Sequence, residues 1–303
     1  AGAGQACPPW PRAGRGQRTR PAQRMLSCCT APVGDSVEAI GQSSTKSGGG
    51  LVARRHQYDN GATYDGEWLG GQRHGRGTQQ WADGAEYRGE WFEDKAQGEG
   101  TFKHVDGDLY AGQWKNDMAD GRGTYQHADG SRYEGQWQSD KQHGRGEETW
   151  PDGAKYSGDY LGGRKNGKGQ FSWSDGSRYE GDFQDNDIHG TGQYTWSDGR
   201  RFFGEWQKNR MHGAGKFSWA DGRSYEGAYE NDQKHGHGVF VWPDGRRYSG
   251  LWQEGRQHGE GAYFSADGTC RRGEWQNGKR ARWLEGEGGG DPADNGLDDN
   301  TER

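Results

Sequence analysis

A period of 23 residues constrains this chain more than any other feature, and it runs for about 210 residues without insertion or deletion. Units begin at Tyr64, Tyr87, Tyr110, Tyr133, Tyr156, Tyr179, Phe202, Tyr225 and Tyr248, with a partial tenth at Arg271. Position 3 is Gly in every unit, from Gly66 to Gly273, and position 5 is aromatic, from Trp68 to Trp275. Positions 12 and 14 are Gly in all nine full units, and Asp-Gly closes each, from Asp83-Gly84 to Asp267-Gly268. Periods of this size belong to architectures in which a small unit cannot bury its own apolar face and stacks on copies of itself.

Composition agrees once it is divided along the chain. Leu, Ile, Val and Phe make up only about 8% of the 303 residues, too little for an aliphatic core. A large α/β enzyme domain is excluded on that ground, and no apolar run reaches the ~18 residues of a membrane-spanning helix. Yet the chain holds 15 Trp, 14 Tyr and 9 Phe, nearly all on repeat positions. Residues 1–57 carry eight Lys/Arg against two acids, and residues 284–303 carry seven acids against Arg303. Both lack periodicity and read as disordered tails flanking an array over 58–283.

The local pattern predicts hairpins. In the unit from Phe202 to Ser224, Phe202, Gly204 and Trp206 alternate with polar residues, as do Gly213, Gly215, Phe217 and Trp219. A four-residue loop at positions 8–11 would set position 5 opposite 14, 3 opposite 16 and 1 opposite 18. Each Gly would then face a ring across the ladder, which covers its bare backbone. For one face to continue into the next unit, the Asp-Gly connection must have odd length or a bulge. The fold class that follows is all-β: an elongated, single-layer antiparallel hairpin array of roughly 90 Å.

The pattern Y-x-G-x-W-x-x-x-x-x-H-G-x-G-x-x-x-W-x-D-G resembles the MORN (membrane occupation and recognition nexus) repeat. The resemblance implies a β-hairpin rod used for scaffolding, dimerisation and attachment to membranes or cytoskeleton. Similar arrays stand alone in ciliary and division-apparatus proteins and in junctophilins. Others are joined to plant phosphatidylinositol-phosphate kinases or to a histone lysine methyltransferase, so this chain could also be the regulatory part of a larger enzyme. Departures from the pattern are Gln79 and Glu148 at position 16, and His104, His127 and Ser265 at position 18. Repeats 1 to 4 are therefore expected to pack less well than 5 to 8.

Chemistry-bearing residues mostly fall on repeat positions. His74, His143, His189, His212, His235 and His258 share position 11, which spaces them about 10 Å apart, too far for one metal ion. The Gly-x-Gly pairs lack the Lys-Ser/Thr and the helix of a phosphate-binding loop. No catalytic, cofactor or metal residues emerge, and the chain is read as a non-enzyme. One edge invites a binding role: Arg73, Lys95, Lys141, Arg164, Lys165, Arg210, Lys234 and Arg256 stand at positions 9 and 10 of the first hairpin loop. Such a row could meet anionic phospholipid, at about 1 kcal/mol per cation, or a protein partner. Asp94, Asp117, Asp140 and Asp232 in the same loops make a mixed solvated edge the plainer reading. Nucleic acid does not suit an array with 30 Lys/Arg and 36 Asp/Glu.

Four Cys with one in the array, Cys270, offer no disulfide framework and suit a reducing cytoplasm. If translation began at Met25, the paired Cys28 and Cys29 would resemble a dual palmitoylation site; incidental tail cysteines are the plainer reading. No secretory h-region precedes them. The expectation is a non-enzymatic cytoplasmic scaffold, peripheral to a membrane or the cytoskeleton, with a second copy of the chain as one candidate partner in a homodimer.

Overall fold

The protein is described from a computed structural model, over residues 50–284. Those residues form 21 strands of antiparallel sheet and no helix. Strand β1 (Val52–Gln57) pairs with β2 (Thr63–Leu69), and β2 with β3 (Gln72–Gln80). The latter two recur at the 23-residue period until the final pair Cys270–Gln276 and Lys279–Trp283. The array thus begins inside the stretch assigned to the N-terminal tail, because Val52–Gln57 lies along β2 from Val52↔Trp68 to Gln57↔Thr63. The rest of the expected tails lies outside the described residues. Two compact units divide in sequence between Gly169 and Gln170.

The hairpin register differs from expectation by two residues. Position 1 pairs with 16 (Tyr64↔Gln79), 3 with 14 (Gly66↔Gly77) and 5 with 10 (Trp68↔Arg73). The reason is a two-residue turn at positions 7 and 8, both with positive φ: 50° and 65° at Asn116 and Asp117, 49° and 65° at Lys208 and Asn209. This mirror-image turn matches the twist of the flanking strands. The residues thus freed from the loop form a bulge over positions 11–13, opposite position 4. Its Gly takes φ of +64° at Gly75 and Gly213, and the position-4 side chain accepts the bulge N–H, as Glu67 does from Arg76 at 2.6 Å.

Glycine therefore faces glycine, and the covering ring comes from position 1 of the same strand. A Cβ at Gly77 would collide with the Tyr64 ring, and one at Gly66 with the Gly77 backbone and the Tyr64 hydroxyl. Tyr64 Oη passes over both to donate to the Glu67 carbonyl at 3.1 Å. The same bond recurs at Tyr110 (2.9 Å), Tyr179 (3.0 Å) and Tyr248 (3.1 Å). The second connection behaves as expected. Five residues, Trp81 to Ala85, lie between the paired Gln80 and Glu86, so one face continues into the next repeat.

That face is the core. In the unit ending at Gly169, Tyr64, Tyr87, Tyr110, Tyr133 and Tyr156 are at most 1% exposed. Each inner Tyr sits edge-on between two position-5 rings, as Tyr87 does between Trp91 (5.0 Å) and Trp114 (5.1 Å). The unit from Gln170 repeats this through Tyr225, with Tyr229 at 5.2 Å and Trp252 at 5.1 Å. Edge-to-face pairs of this kind are worth about 1 kcal/mol each beyond their buried area. The position-5 indole also ties repeat to repeat: Trp91 Nε1 donates to the Gly77 carbonyl at 3.1 Å and Trp206 to that of Gly192 at 3.1 Å.

Candidate functional site

Because the position-1 and position-5 rings are buried, the surfaces most open to partners in each unit are the outward face and the two rows of turns. The first row is built from positions 7–10. Position 8 is an acceptor for the repeat before it. Asp94, Asp117, Asp140, Asn209 and Asp232 take the position-10 N–H of the preceding repeat, at 2.7–2.8 Å. The backbone N–H of position 8 returns the bond, as from Asp94 to the Arg73 carbonyl at 3.0 Å. The acids of the basic edge therefore also tie neighbouring turns together, and Asp94 pairs with Arg73 at 3.3 Å as well.

The eight cations assigned to that edge separate into two sets. Lys95, Lys141, Arg164, Arg210 and Arg256, at position 9, are exposed and form one. Arg73, Lys165 and Lys234, at position 10, are a correction: they point into the ring face. Alternation puts position 10 opposite position 5, so its side chain lies over the rings. Arg73 stacks 4.2 Å from Trp91 and donates to Gln79 at 3.1 Å. Lys165 bonds Glu148 at 2.6 Å, with both side chains no more than 15% exposed. Lys234 lies 4.9–5.6 Å from four rings: Trp219, Tyr225, Phe240 and Trp252. None of these three can meet a headgroup without unpacking its repeat.

The departures at position 16 explain two of these inward cations. Gln79 and Glu148 replace a ring and take a cation as partner, and Glu148 also accepts from Tyr160 at 3.1 Å. Where position 16 is aromatic, a second ring row forms. In the unit from Gln170 it runs Phe171–Trp173–Tyr194–Trp196–Phe217–Trp219–Phe240–Trp242–Tyr263, with centroids 4.4–6.2 Å apart.

The second row of turns holds Asp at position 20, whose Oδ1 accepts the N–H two residues on, as at Asp83 and Ala85 (3.0 Å). It also holds Arg200, Arg223 and Arg246 at position 22, which the sequence reading passed over although their 23-residue spacing was visible. The position-11 histidines lie one per repeat, and among the described residues no three His, Cys, Asp or Glu converge as metal ligands. Cys270 is free and exposed; Cys28 and Cys29 lie outside the described residues.

Hydrogen bonds from Ser131, Arg223, Arg246 and Thr269 hold the turn carboxylates of Asp129, Asp221, Asp244 and Asp267 below the usual range, and burial governs the upward shifts. It pushes the phenols of Tyr64, Tyr110 and Tyr179 upward, and that of Tyr248 to about 12. Asp140 is raised to about 6 by burial, with the carboxylate of Asp120 adding to it. Its Oδ2 is buried without a hydrogen-bond partner. The upward shifts come from packing and the downward ones from turn hydrogen bonds.

No curated relative matches the chain. Among solved structures it is similar to the TCP domain of SAS-4 (dCPAP) of Drosophila melanogaster, in complex with a proline-rich motif of Ana2. That match has 9% identity and a TM-score of 0.31, over 70% of this chain and 99% of that one. The wild-type TCP10 domain of Danio rerio CPAP gives 12% and 0.26, over 77% and 100%. A selenomethionine-substituted virginiamycin B lyase of Staphylococcus aureus gives 11% and 0.15, over 73% and 68%. Likenesses this distant carry no argument about function. The MORN repeat pattern, in contrast, matches nine segments in succession from 64–86 to 248–270. With more than half of the chain so matched, and each match falling on the hairpins and ring ladder described above, the chain belongs to the MORN-repeat family.

Proposed function

We propose that the chain is a non-catalytic scaffold that presents its outward face and turn rows to protein partners, in the cytoplasm or at the periphery of a membrane or the cytoskeleton. The observation that supports this is where the repeat's chemistry goes. Tyr at position 1, Trp at 5, Asp at 8 and Asp at 20 all act within the array, while the opposite face stays in solvent. That face carries Phe203 at 58% exposure beside Arg201 and Lys216, an apolar centre with a charged surround that suits a protein contact. In-cell cross-linking from Lys155 and Lys216 should recover recurrent protein partners. Phe203→Asp should remove the cross-links near it without changing the melting curve; cross-links unaffected by outward-face substitutions would refute the reading.

A second reading rests on the exposed position-9 cations. Lys95, Lys141, Arg164, Arg210 and Arg256 could attract anionic phospholipid, each contributing about 1 kcal/mol. Co-sedimentation with vesicles with and without phosphatidylserine tests it. Binding should need the anionic lipid, weaken with salt and disappear when the five are changed to Gln; equal binding to neutral vesicles removes it.

A further inference from the structure

On three neighbouring strands of the unit from Gln170, a threonine stands directly between two arginines: Arg178↔Thr195 and Thr195↔Arg201. Their chain neighbours Tyr179, Tyr194 and Phe202 are fully buried on the ring face, so alternation sends all three to the outward face. The same ladder row continues through Arg201↔Ser218 and Ser218↔Ser224. From Arg178 to Ser224 it holds two guanidiniums, three hydroxyls and no carboxylate.

The unit ending at Gly169 shows how a cation at this position, 23, is neutralised. Arg132 bonds Glu134, two residues on, at 2.6 Å, and Lys155 bonds Glu147 of the neighbouring strand at 2.8 Å. Around Arg178 the corresponding places hold Glu180 and Gln170, which bond each other at 3.0 Å. Around Arg201 they hold Phe203 and Gln193, and neither brings a charge. Both arginines are exposed, and among the described residues neither has a carboxylate partner. Phe203 beside them is 58% exposed.

We propose that Arg178, Thr195 and Arg201 bind the phosphate of a phosphorylated serine or threonine in a partner protein, with Phe203 packing against an apolar residue next to it. The inference rests on the scaffold reading and narrows it to one partner chemistry. Alternate strands lie roughly 9.6 Å apart. An arginine side chain spans more than half of that, so both forks can reach one anion above Thr195. A carboxylate offers two oxygens. A phosphate monoester offers three and carries about −1.5 to −2 charge, so it can use both forks and the hydroxyl together. Arginine clusters recognise phosphorylated segments on this principle.

The test measures binding of the full chain to fluorescein-labelled peptides with phosphoserine at the centre and degenerate uncharged residues on either side. The same pool with glutamate or serine at the centre serves as comparison. Phosphoserine should bind about tenfold more tightly than glutamate, and serine least. Arg178→Gln with Arg201→Gln should abolish that preference. Arg178→Lys with Arg201→Lys keeps the charge without the fork and should weaken phosphoserine binding several-fold; it decides if the glutamine pair does not fold. Arg132→Gln with Arg145→Gln removes two cations already paired with Glu134 and Asp159 and should change nothing. Equal affinity for the phosphoserine and glutamate pools, an unchanged preference in both arginine double variants, or an equal loss in the control would overturn the proposal. So would an arginine pair needed for phosphatidylserine vesicles but not for the phosphoserine pool, which would make the row a lipid contact. Recovery of partners by cross-linking from Lys155 and Lys216 is read independently of these outcomes, so the scaffold reading stands or falls separately.

Discussion

At the scale of the residue, each recurrent side chain answers to a backbone need. Gly at 3 and 14 leaves room for the position-1 ring, and Gly at 12 supplies the left-handed bulge. Asp140 shows what happens when such a role leaves a charge half satisfied. Its Oδ1 accepts the Ala119 N–H at 2.8 Å, but its Oδ2 is buried without a partner. The folded value of about 6 lies above the ~3.9 of an unfolded Asp. Between those values the folded chain binds more protons than the unfolded one, so stability falls as pH rises through the window, and the loss is complete above it. Asn209 performs the same role without charge. Asp140→Asn should therefore raise stability at neutral pH by about 1–2 kcal/mol and much less near pH 4. Urea melts at both pH values check this, and an unchanged pH slope in the variant would refute it.

At the scale of the element, a hairpin is defined by what it hands to the next one: an indole N–H, a turn carboxylate and half of a ring sandwich. The contact among Glu148, Tyr160 and Lys165 is a polar version of this joint. One period later the same positions hold Phe171, Phe183 and Ile188. A buried ion pair gains little over apolar packing of similar volume, whereas breaking it strands a charge. The triple change Glu148→Phe, Tyr160→Phe, Lys165→Ile should leave stability unchanged or raise it by about 1–2 kcal/mol. Lys165→Met alone should lower it by about 3 kcal/mol, because Glu148 stays buried with only the Tyr160 hydroxyl. Denaturant melts of the two variants provide the comparison, and a triple variant less stable than the single one would contradict it.

At the scale of the whole molecule, the 23-residue translation means that stability should be nearly a sum of repeat and neighbour terms. Deleting residues 110–132 joins Leu109 to Tyr133, with the surroundings that Arg132 gives Tyr133 now. The shortened chain should keep its strand circular dichroism and melt a few degrees lower; loss of the β signal would show that the repeats are not interchangeable. The expectation that repeats 1 to 4 pack less well than 5 to 8 belongs here too. The second ring row is continuous from Phe171 to Tyr263, while Gln79 and Glu148 place polar groups in it earlier in the chain.

The period, the hairpins, the single ring face and the odd Asp-Gly connection were all legible in the sequence, because each depends on spacing along the chain. The register was not. It turned on whether positions 7 and 8 would adopt positive φ, and residue pairs as varied as Glu93-Asp94, Lys208-Asn209 and Gly162-Gly163 all do so. That choice moved position 10 beneath the rings and took Arg73, Lys165 and Lys234 out of the exposed edge. It also made the position-8 acids acceptors that tie each turn to the one before it. Sequence by itself determined which residues recur, and hence that rings and glycines form one stacked face. Only tertiary structure decided which charges that face would cover, because a two-residue shift in pairing changes the cross-strand neighbours of every side chain.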